Sequence, residues 1–268
     1  MKSVLKITNL QKTFNPGTVN AKVALSGFDL TIEDGDFVTV IGGNGAGKST
    51  MLNAICGVWR PDYGSIEIDG VDVTSMPEHK RAKFLGRVFQ DPMKGTSPDM
   101  EIAENLSIAA RRGTKRKLIW GCPRKERESY KALLAQLELG LENRLSTKVG
   151  LLSGGQRQAV TLLMATLRKP KLLLLDEHTA ALDPKTAAKV LSITDKLVTE
   201  NKLTTLMVTH NMYDAIKYGN RLIMLHEGRV VVDIKGEQKK SLTVEDLLAL
   251  FEAGSGSKFA SDKELLSK

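Results

Sequence analysis

Apolar and polar positions alternate along the first third of the chain. SVLKITNL (residues 3–10) and AKVALSGFDLTIEDG (21–35) are short, alternating and bounded by turn residues, which predicts strands. DFVTVIGG (36–43) is more uniformly apolar, as in a strand covered on both faces, and it runs straight into glycines. SIEIDG ends in Asp69-Gly70, a tight-turn signal, and RVFQ (87–90) reads as another short strand. From about Asp99 to Arg168 the pattern turns helical, with ENLSIAARR and ESYKALLAQLELGL as its clearest pieces. KLLLLDE returns to a buried strand, AAKVLSITDKLVTEN is an amphipathic helix, and TTLMVTH is the next buried strand. RLIMLHEGRVVVDIKG predicts a hairpin turning at Glu227-Gly228. SLTVEDLLALF opens a helix at Thr243, with Asp246 completing a capping box and Leu242 and Leu247 placed as a staple. Strands alternating with helices predict an α/β fold with a largely parallel sheet. The helical stretch is long enough to be an inserted subdomain, and residues 254–268 read as a frayed tail.

The 268 residues suffice for one large domain or a domain with a subdomain. No apolar run exceeds the five residues Leu247–Phe251, which excludes a membrane-spanning helix. The first fourteen residues hold no apolar stretch of signal-peptide length, and Cys56 and Cys122 are too few for a disulfide framework. The expectation is a protein of the reducing cytosol. The net charge of +8 is uneven, because Arg111–Arg127 holds eight basic residues against Glu126. That stretch reads either as a solvated loop or as a patch that meets an acidic surface, anionic lipid or nucleic acid.

Candidate chemistry starts with GGNGAGKST, residues 42–50, which contains G-x-x-x-x-G-K-S from Gly42 to Ser49. A triphosphate needs many donors at close range. Gly42, Gly43, Gly45 and Gly47, with Asn44 and Ala46 between them, let backbone N–H groups wrap around it. The helix beginning near Lys48 adds its positive dipole end. Lys48 can reach the β and γ phosphates, Ser49 can ligate Mg²⁺, and Thr50 can add a phosphate contact. LLLLDE then places Asp176 and Glu177 at the end of a buried strand, where open α/β sheets carry ligand groups. Asp176 would hold Mg²⁺, and Glu177 is free to accept a proton from attacking water. In LLSGGQRQAV, Ser153 caps a helix predicted to run to about Lys169. Gly154 and Gly155 leave N–H groups bare at its start, a second anion site without a lysine.

With these motifs in this order, roughly residues 3–250 resemble the nucleotide-binding subunit of ABC transporters, a P-loop NTPase. That fold has a mostly parallel core sheet, an N-terminal antiparallel β subdomain and an inserted helical subdomain. The resemblance places the ATPase domain at residues 1–253, with the helical subdomain at about 91–165. Gly42–Thr50 matches the Walker A loop, Gln90 the Q-loop glutamine, Leu152–Gln156 the LSGGQ signature and Leu172–Asp176 Walker B. Glu177 matches the catalytic glutamate, Ala180–Asp183 the D-loop, His210 the switch histidine and Phe14 the adenine-stacking aromatic. Two positions depart from the family's EPTSALD, where this chain reads EHTAALD, with His178 and Ala180; the alanine removes a hydroxyl that can bond across a dimer.

The resemblance implies ATP hydrolysis with Mg²⁺, at sites shared by two subunits paired head to tail. Each ATP would meet Lys48 and Mg²⁺ on one subunit and Ser153, Gly154, Gly155 and Gln156 on the other. Gln90, with Ser49 and Asp176, would touch Mg²⁺ and the attacking water; His210 would contact the γ-phosphate; Asp183 would lie beside the shared nucleotide. It further implies separate permease subunits, an indirect link to a substrate-binding lipoprotein and a place on the cytoplasmic face of the cell membrane. Uptake is the expected direction, with amino acids, aromatic ones included, as cargo. Two alternatives remain at this point. One is a soluble ABC ATPase of the iron–sulfur assembly type. The other is a nucleic-acid ATPase, disfavoured because the span from Lys48 to Ser153 is short and lacks sustained heptads, so no specific nucleic acid is expected.

Overall fold

The computed structural model describes residues 2–114 and 121–256, in two compact units. The first comprises the chain up to Arg81 and again from Lys202; the second is Ala82–Asn201. In chain order the first unit begins with β1 (Ser3–Phe14), β2 (Lys22–Glu33), β3 (Phe37–Gly42), α1 (Lys48–Cys56), β4 (Tyr63–Ile68), β5 (Val71–Asp72) and α2 (Glu78–Arg81). The second holds β6 (Leu85–Val88), α3 (Ile102–Ala110), α4 (Arg124–Ala135), α5 (Gly154–Thr166), β7 (Leu172–Asp176) and α6 (Pro184–Asn201). The first then resumes with β8 (Thr205–Val208), α7 (Met212–Lys217), β9 (Arg221–His226), β10 (Arg229–Lys235), α8 (Glu237–Lys240) and α9 (Val244–Ser255).

In the first unit, β1 lies between β2 and β4, antiparallel to both, with β5 beyond β4. Ile7 pairs with Leu30 on one side and Ile66 on the other. The alternating pattern therefore buries one apolar ladder across three strands. A second run is ordered β10-β9-β3-β8, with β3 parallel to both β8 and β9, and β10 closing the edge antiparallel. Every residue of β3 is buried, which is why its sequence shows no alternation. In the second unit β6 and β7 pair in parallel.

Both predicted tight turns are formed. Asp69 and Gly70 have φ of 52° and 78°, Glu227 and Gly228 of 46° and 73°, the left-handed pair that suits strand twist at a hairpin. At α9, Thr243 Oγ1 accepts from Asp246 N–H and the Asp246 side chain returns to Thr243 N–H. Leu242 packs on the cluster that contains Leu247, as the staple requires.

Helix ends differ from expectation. The helix that begins at Lys48 stops at Cys56, ahead of the apolar Val58 and Trp59, because Gly57 takes the left-handed conformation (φ 81°) that ends a helix. α5 stops at Thr166, short of Lys169. α4 begins at Arg124, directly after Pro123, so the end of the basic stretch is a first helical turn rather than a loop. Arg111 pairs with Glu126, Arg112 donates to the carbonyls of Ala165 and Arg168, and Arg127 pairs with Glu101. Much of the described charge there fastens the second unit internally; Lys115, Arg116 and Lys117 lie outside the described residues. So does the tail from Ser257, while Gly254 and Ser255 belong to α9. Cys56 and Cys122 are not joined in a disulfide. Among the described residues no helix is long and apolar enough to cross a membrane.

Candidate functional site

The candidate residues fall into two groups, one in each unit. In the first, β3 delivers the chain at Gly42 into a loop that becomes α1 at Lys48. Gly47 has φ 103° and Gly45 φ 80°, conformations that L side chains avoid. A Cβ on Gly42 would stand 2.4 Å from the Leu225 carbonyl oxygen, and one on Gly47 2.8 Å from that of Ala24. The glycines are thus required both for chain direction and for close approach of backbone. α1 has no side-chain cap at its start. Its first bond runs from Met51 N–H to Gly47, so the amides ahead of Met51 are not used by the helix ladder. Ser49 is exposed and Thr50 half-buried at that open end.

Lys48 is buried, and its ammonium donates to the carbonyls of Gly42 at 2.6 Å and Gly43 at 3.1 Å. The loop closes over its own cation, which keeps the charge at the place where phosphate would bind. The far end of α1 is held by a residue that sequence reasoning missed. Arg81 is fully buried and donates to Ala54, Ile55, Met76 and Thr74 carbonyls. A cation at a helix C-terminus suits the dipole and satisfies carbonyls left over there. Burial lowers the Arg81 pKa from its ordinary value.

Phe14 ends β1 and meets Trp59 edge-on, with ring centroids 5.8 Å apart. The Lys12 ammonium lies 5.6 Å from the Phe14 ring and pairs with Asp62. Trp59 carried no motif, and only its place just past α1 signals it. His210 follows β8, whose Val208 is in register with Val40 of β3. His210 and the phosphate loop therefore leave neighbouring parallel strands at the same end, a relation fixed by Thr209 N–H donating to Val40. Asn211, next in the chain, caps α7 through Asp214 N–H.

In the second unit β6 and β7 end together, with Val88 opposite Leu175. Gln90 and Glu177 follow the ends of these two neighbouring strands, Gln90 exposed. Asp176 accepts from Arg87 Nη2 at 3.0 Å, a partner that the motifs did not predict. Glu177 adopts φ 47°, uncommon for a residue with a side chain and a mark of local strain. His178 is buried beneath α6, with Nε2 3.0 Å from Thr194 Oγ1. Thr194 donates to Val190, so the imidazole is the donor of that bond; burial lowers the His178 pKa to about 4. Ala180 N–H bonds Glu177 in a tight turn, and Asp183 caps α6 by accepting from Thr186 N–H; the Thr186 hydroxyl, and then this N–H, hold its carboxyl below the ordinary range.

The signature segment carries the expected Ser153 cap and two contacts that the motif did not announce. Ser153 Oγ accepts from Gln156 N–H, and the Gln156 side chain accepts in return from Ser153 N–H. Gln156 Nε2 also donates to the Leu139 carbonyl, so this amide faces its own unit. And Gly155 is needed for packing, since a Cβ there would lie 2.1 Å from Thr186 Cγ2.

These residues can bind a nucleoside triphosphate. The open helix start, the buried lysine and the glycine cradle suit phosphate. Ser49 in the first unit and Asp176 in the second are each hard oxygen donors, the ligand type that Mg²⁺ prefers. Among the described residues no three His, Cys, Asp or Glu side chains form a metal cluster.

The ABC transporter family matches residues 25–180. The chain is 48% identical to a tyrosine transport ATP-binding protein of Clostridioides difficile, over 93% of this chain and 99% of that one. It is 35% identical to the thiamine import ATP-binding protein ThiQ of Escherichia coli, over 76% of this chain and 82% of that one. An ATP-binding cassette solved as a dimer in a post-hydrolysis state with ADP and Pi superposes with a TM-score of 0.73. It shares 32% identity, over 86% of this chain and 98% of that one. The chain accordingly belongs to the ABC transporter family, as an ATP-binding subunit with ATPase activity and the P-loop NTPase fold.

Proposed function

We propose that the chain powers solute uptake through separate membrane permease subunits, bound to them at the cytoplasmic face of the cell membrane. The observation that carries this reading is the near full-length likeness to a tyrosine transport ATP-binding protein. Its cargo class in this proposal is aromatic amino acids, delivered by a substrate-binding lipoprotein.

Two copies would pair head to tail on ATP, as the dimeric relative with ADP and Pi suggests. Phe14 would take the adenine, and Gly42–Thr50 the phosphates, with Lys48 exchanging its loop carbonyls for phosphate oxygens. Mg²⁺ would be held by Ser49, Asp176 and Gln90; when bound it neutralises charge on the transferred phosphoryl group. Ser153, Gly154, Gly155 and Gln156 of one copy, with Asp183 nearby, would close on the nucleotide of the other. Glu177 would accept a proton from water as its oxygen bonds to the γ-phosphorus and the bond to the β-phosphate oxygen breaks, giving ADP and inorganic phosphate. His210 would hold that water and the γ-phosphate in line.

The experiment is a mild detergent purification of the full chain from its own cells, with Glu177→Gln to retain the assembled state. A polytopic membrane protein should copurify, ATP turnover should fall at least about a hundredfold, and ATP should still bind and dimerise the variant. Copurification of soluble proteins alone rejects the uptake reading in favour of an assembly-type ATPase. Wild-type turnover in Glu177→Gln removes its role as base.

A further inference from the structure

Arg87 belongs to none of the motifs. It lies on β6 opposite Leu174 of β7. Side chains along a strand alternate, so Leu174 and Asp176 share a face, and Arg87 rises on that face beside Asp176. The resulting contact is 3.0 Å, between groups only 14% and 16% exposed, where solvent screens a charge pair weakly. The guanidinium also lies over the Phe89 ring, 4.5 Å from its centroid. Phe89 is fixed in turn, because its carbonyl accepts from Gln158 Nε2, on a side chain fully buried in α5. Arg87 thus approaches Asp176 from a rigid base.

The pairing is incomplete. Guanidinium and carboxylate can form a two-pronged pair, but here one N–H reaches one oxygen. Arg87 Nε is buried without a hydrogen-bond partner among the described residues. A buried pair kept only for stability is normally satisfied in full. Here a fixed cation covers Oδ2 and leaves Asp176 able to accept from elsewhere.

We propose that Arg87 is the resident counter-ion of Asp176 in the nucleotide-free chain, and that Mg²⁺ arriving with ATP competes with it for the carboxylate. The inference rests on the reading of Asp176 as a Mg²⁺ ligand. A carboxylate this far out of water is costly without a partner, and Arg87 supplies one. The same positive charge opposes a divalent ion at that oxygen, so it raises the Mg²⁺ concentration that the site requires. Arg87 is a positioning residue, acting through Asp176.

The test titrates Mg²⁺ against binding of a fluorescent ATP analogue to the full chain. Arg87→Met, which keeps length but not charge, should lower the half-saturating Mg²⁺ concentration roughly fivefold. Arg87→Lys should stay near wild type. If Arg87→Met does not fold, Arg87→Gln carries the same expectation. Asp176→Asn serves as the reference and should raise the midpoint. An unmoved midpoint in the uncharged Arg87 variants, with Asp176→Asn shifted, overturns the inference; a merely structural Arg87 would lower the melting temperature and leave the midpoint alone. An unmoved midpoint in Asp176→Asn overturns the reading of Asp176 itself and the inference with it.

Discussion

The phosphate loop and the signature segment are both glycine-rich starts of helices, yet they use glycine for opposite reasons. In the loop, Gly45 and Gly47 take left-handed backbone angles, and Gly42 and Gly47 bring the chain against other backbone. In the signature, Gly154 and Gly155 are helical, and the second is a packing glycine that lets Thr186 of α6 sit against α5. The starts differ as well. α1 has no side-chain cap, whereas α5 is closed by its own Ser153–Gln156 box. An uncapped helix start is a donor surface waiting for an anion; a capped one is already partly satisfied. The uncapped start of α1 offers its amides to an anion, whereas the start of α5 already spends the Gln156 N–H on its own serine.

Four experiments test this contrast. The largest expected effect is at the support of the loop helix. Arg81→Met removes four hydrogen bonds to buried carbonyls and should cost about 4 kcal/mol in urea unfolding. A loss under about 1 kcal/mol would show that α1 does not lean on Arg81.

Next is Gly47→Ala, which meets both a left-handed backbone and the Ala24 carbonyl. It should cost about 3 kcal/mol and weaken ATP binding more than tenfold, because the nearest obstacle is a backbone carbonyl that no side-chain change can move aside. Calorimetric titration with ATP reads the second effect.

Acid should separate the regions. His178 lies under α6, which also carries Thr186, and burial holds its pKa at about 4 against an ordinary 6.5. Between those values the unfolded chain takes up the proton first. The contribution of this group is therefore complete above pH 6.5 and is lost as pH falls towards 4, a change of about 3 kcal/mol. His178→Gln, which keeps a donor for Thr194, should flatten this part of the pH–stability curve; an unchanged slope would mean that His178 is not its source.

The smallest effect is the sharpest. Gly155→Ala should cost about 2 kcal/mol through overpacking, and adding Thr186→Ser, which removes the offending methyl, should return most of it. No rescue would mean that the signature glycine is required for its backbone, as in the loop.

Much of the candidate site was legible in the chain. The phosphate loop, the Asp176-Glu177 pair and the Ser153 cap announce themselves, because a turn, a cap or a strand end involves residues a few positions apart. The strands and both hairpin turns were legible for the same reason. The helix ends at Cys56 and Thr166 were not, since periodicity continues past a glycine or a packing limit that stops the helix. The bonds of the Gln156 side chain to Ser153 and Leu139 were not legible from the signature motif either.

What the sequence alone determined is therefore the local chemistry: where backbone can bend left-handed, which hydroxyl caps which helix, which strand ends in two carboxylates. Tertiary structure decided the partners. Arg81 finds the end of α1 at Ala54 and Ile55, Arg87 finds Asp176 from 89 positions away, and Gly155 owes its identity to a methyl on another helix. Such contacts depend on how distant strands and helices pack. A single chain read in order carries the residues of these pairs but not the closeness that makes one charge the answer to another.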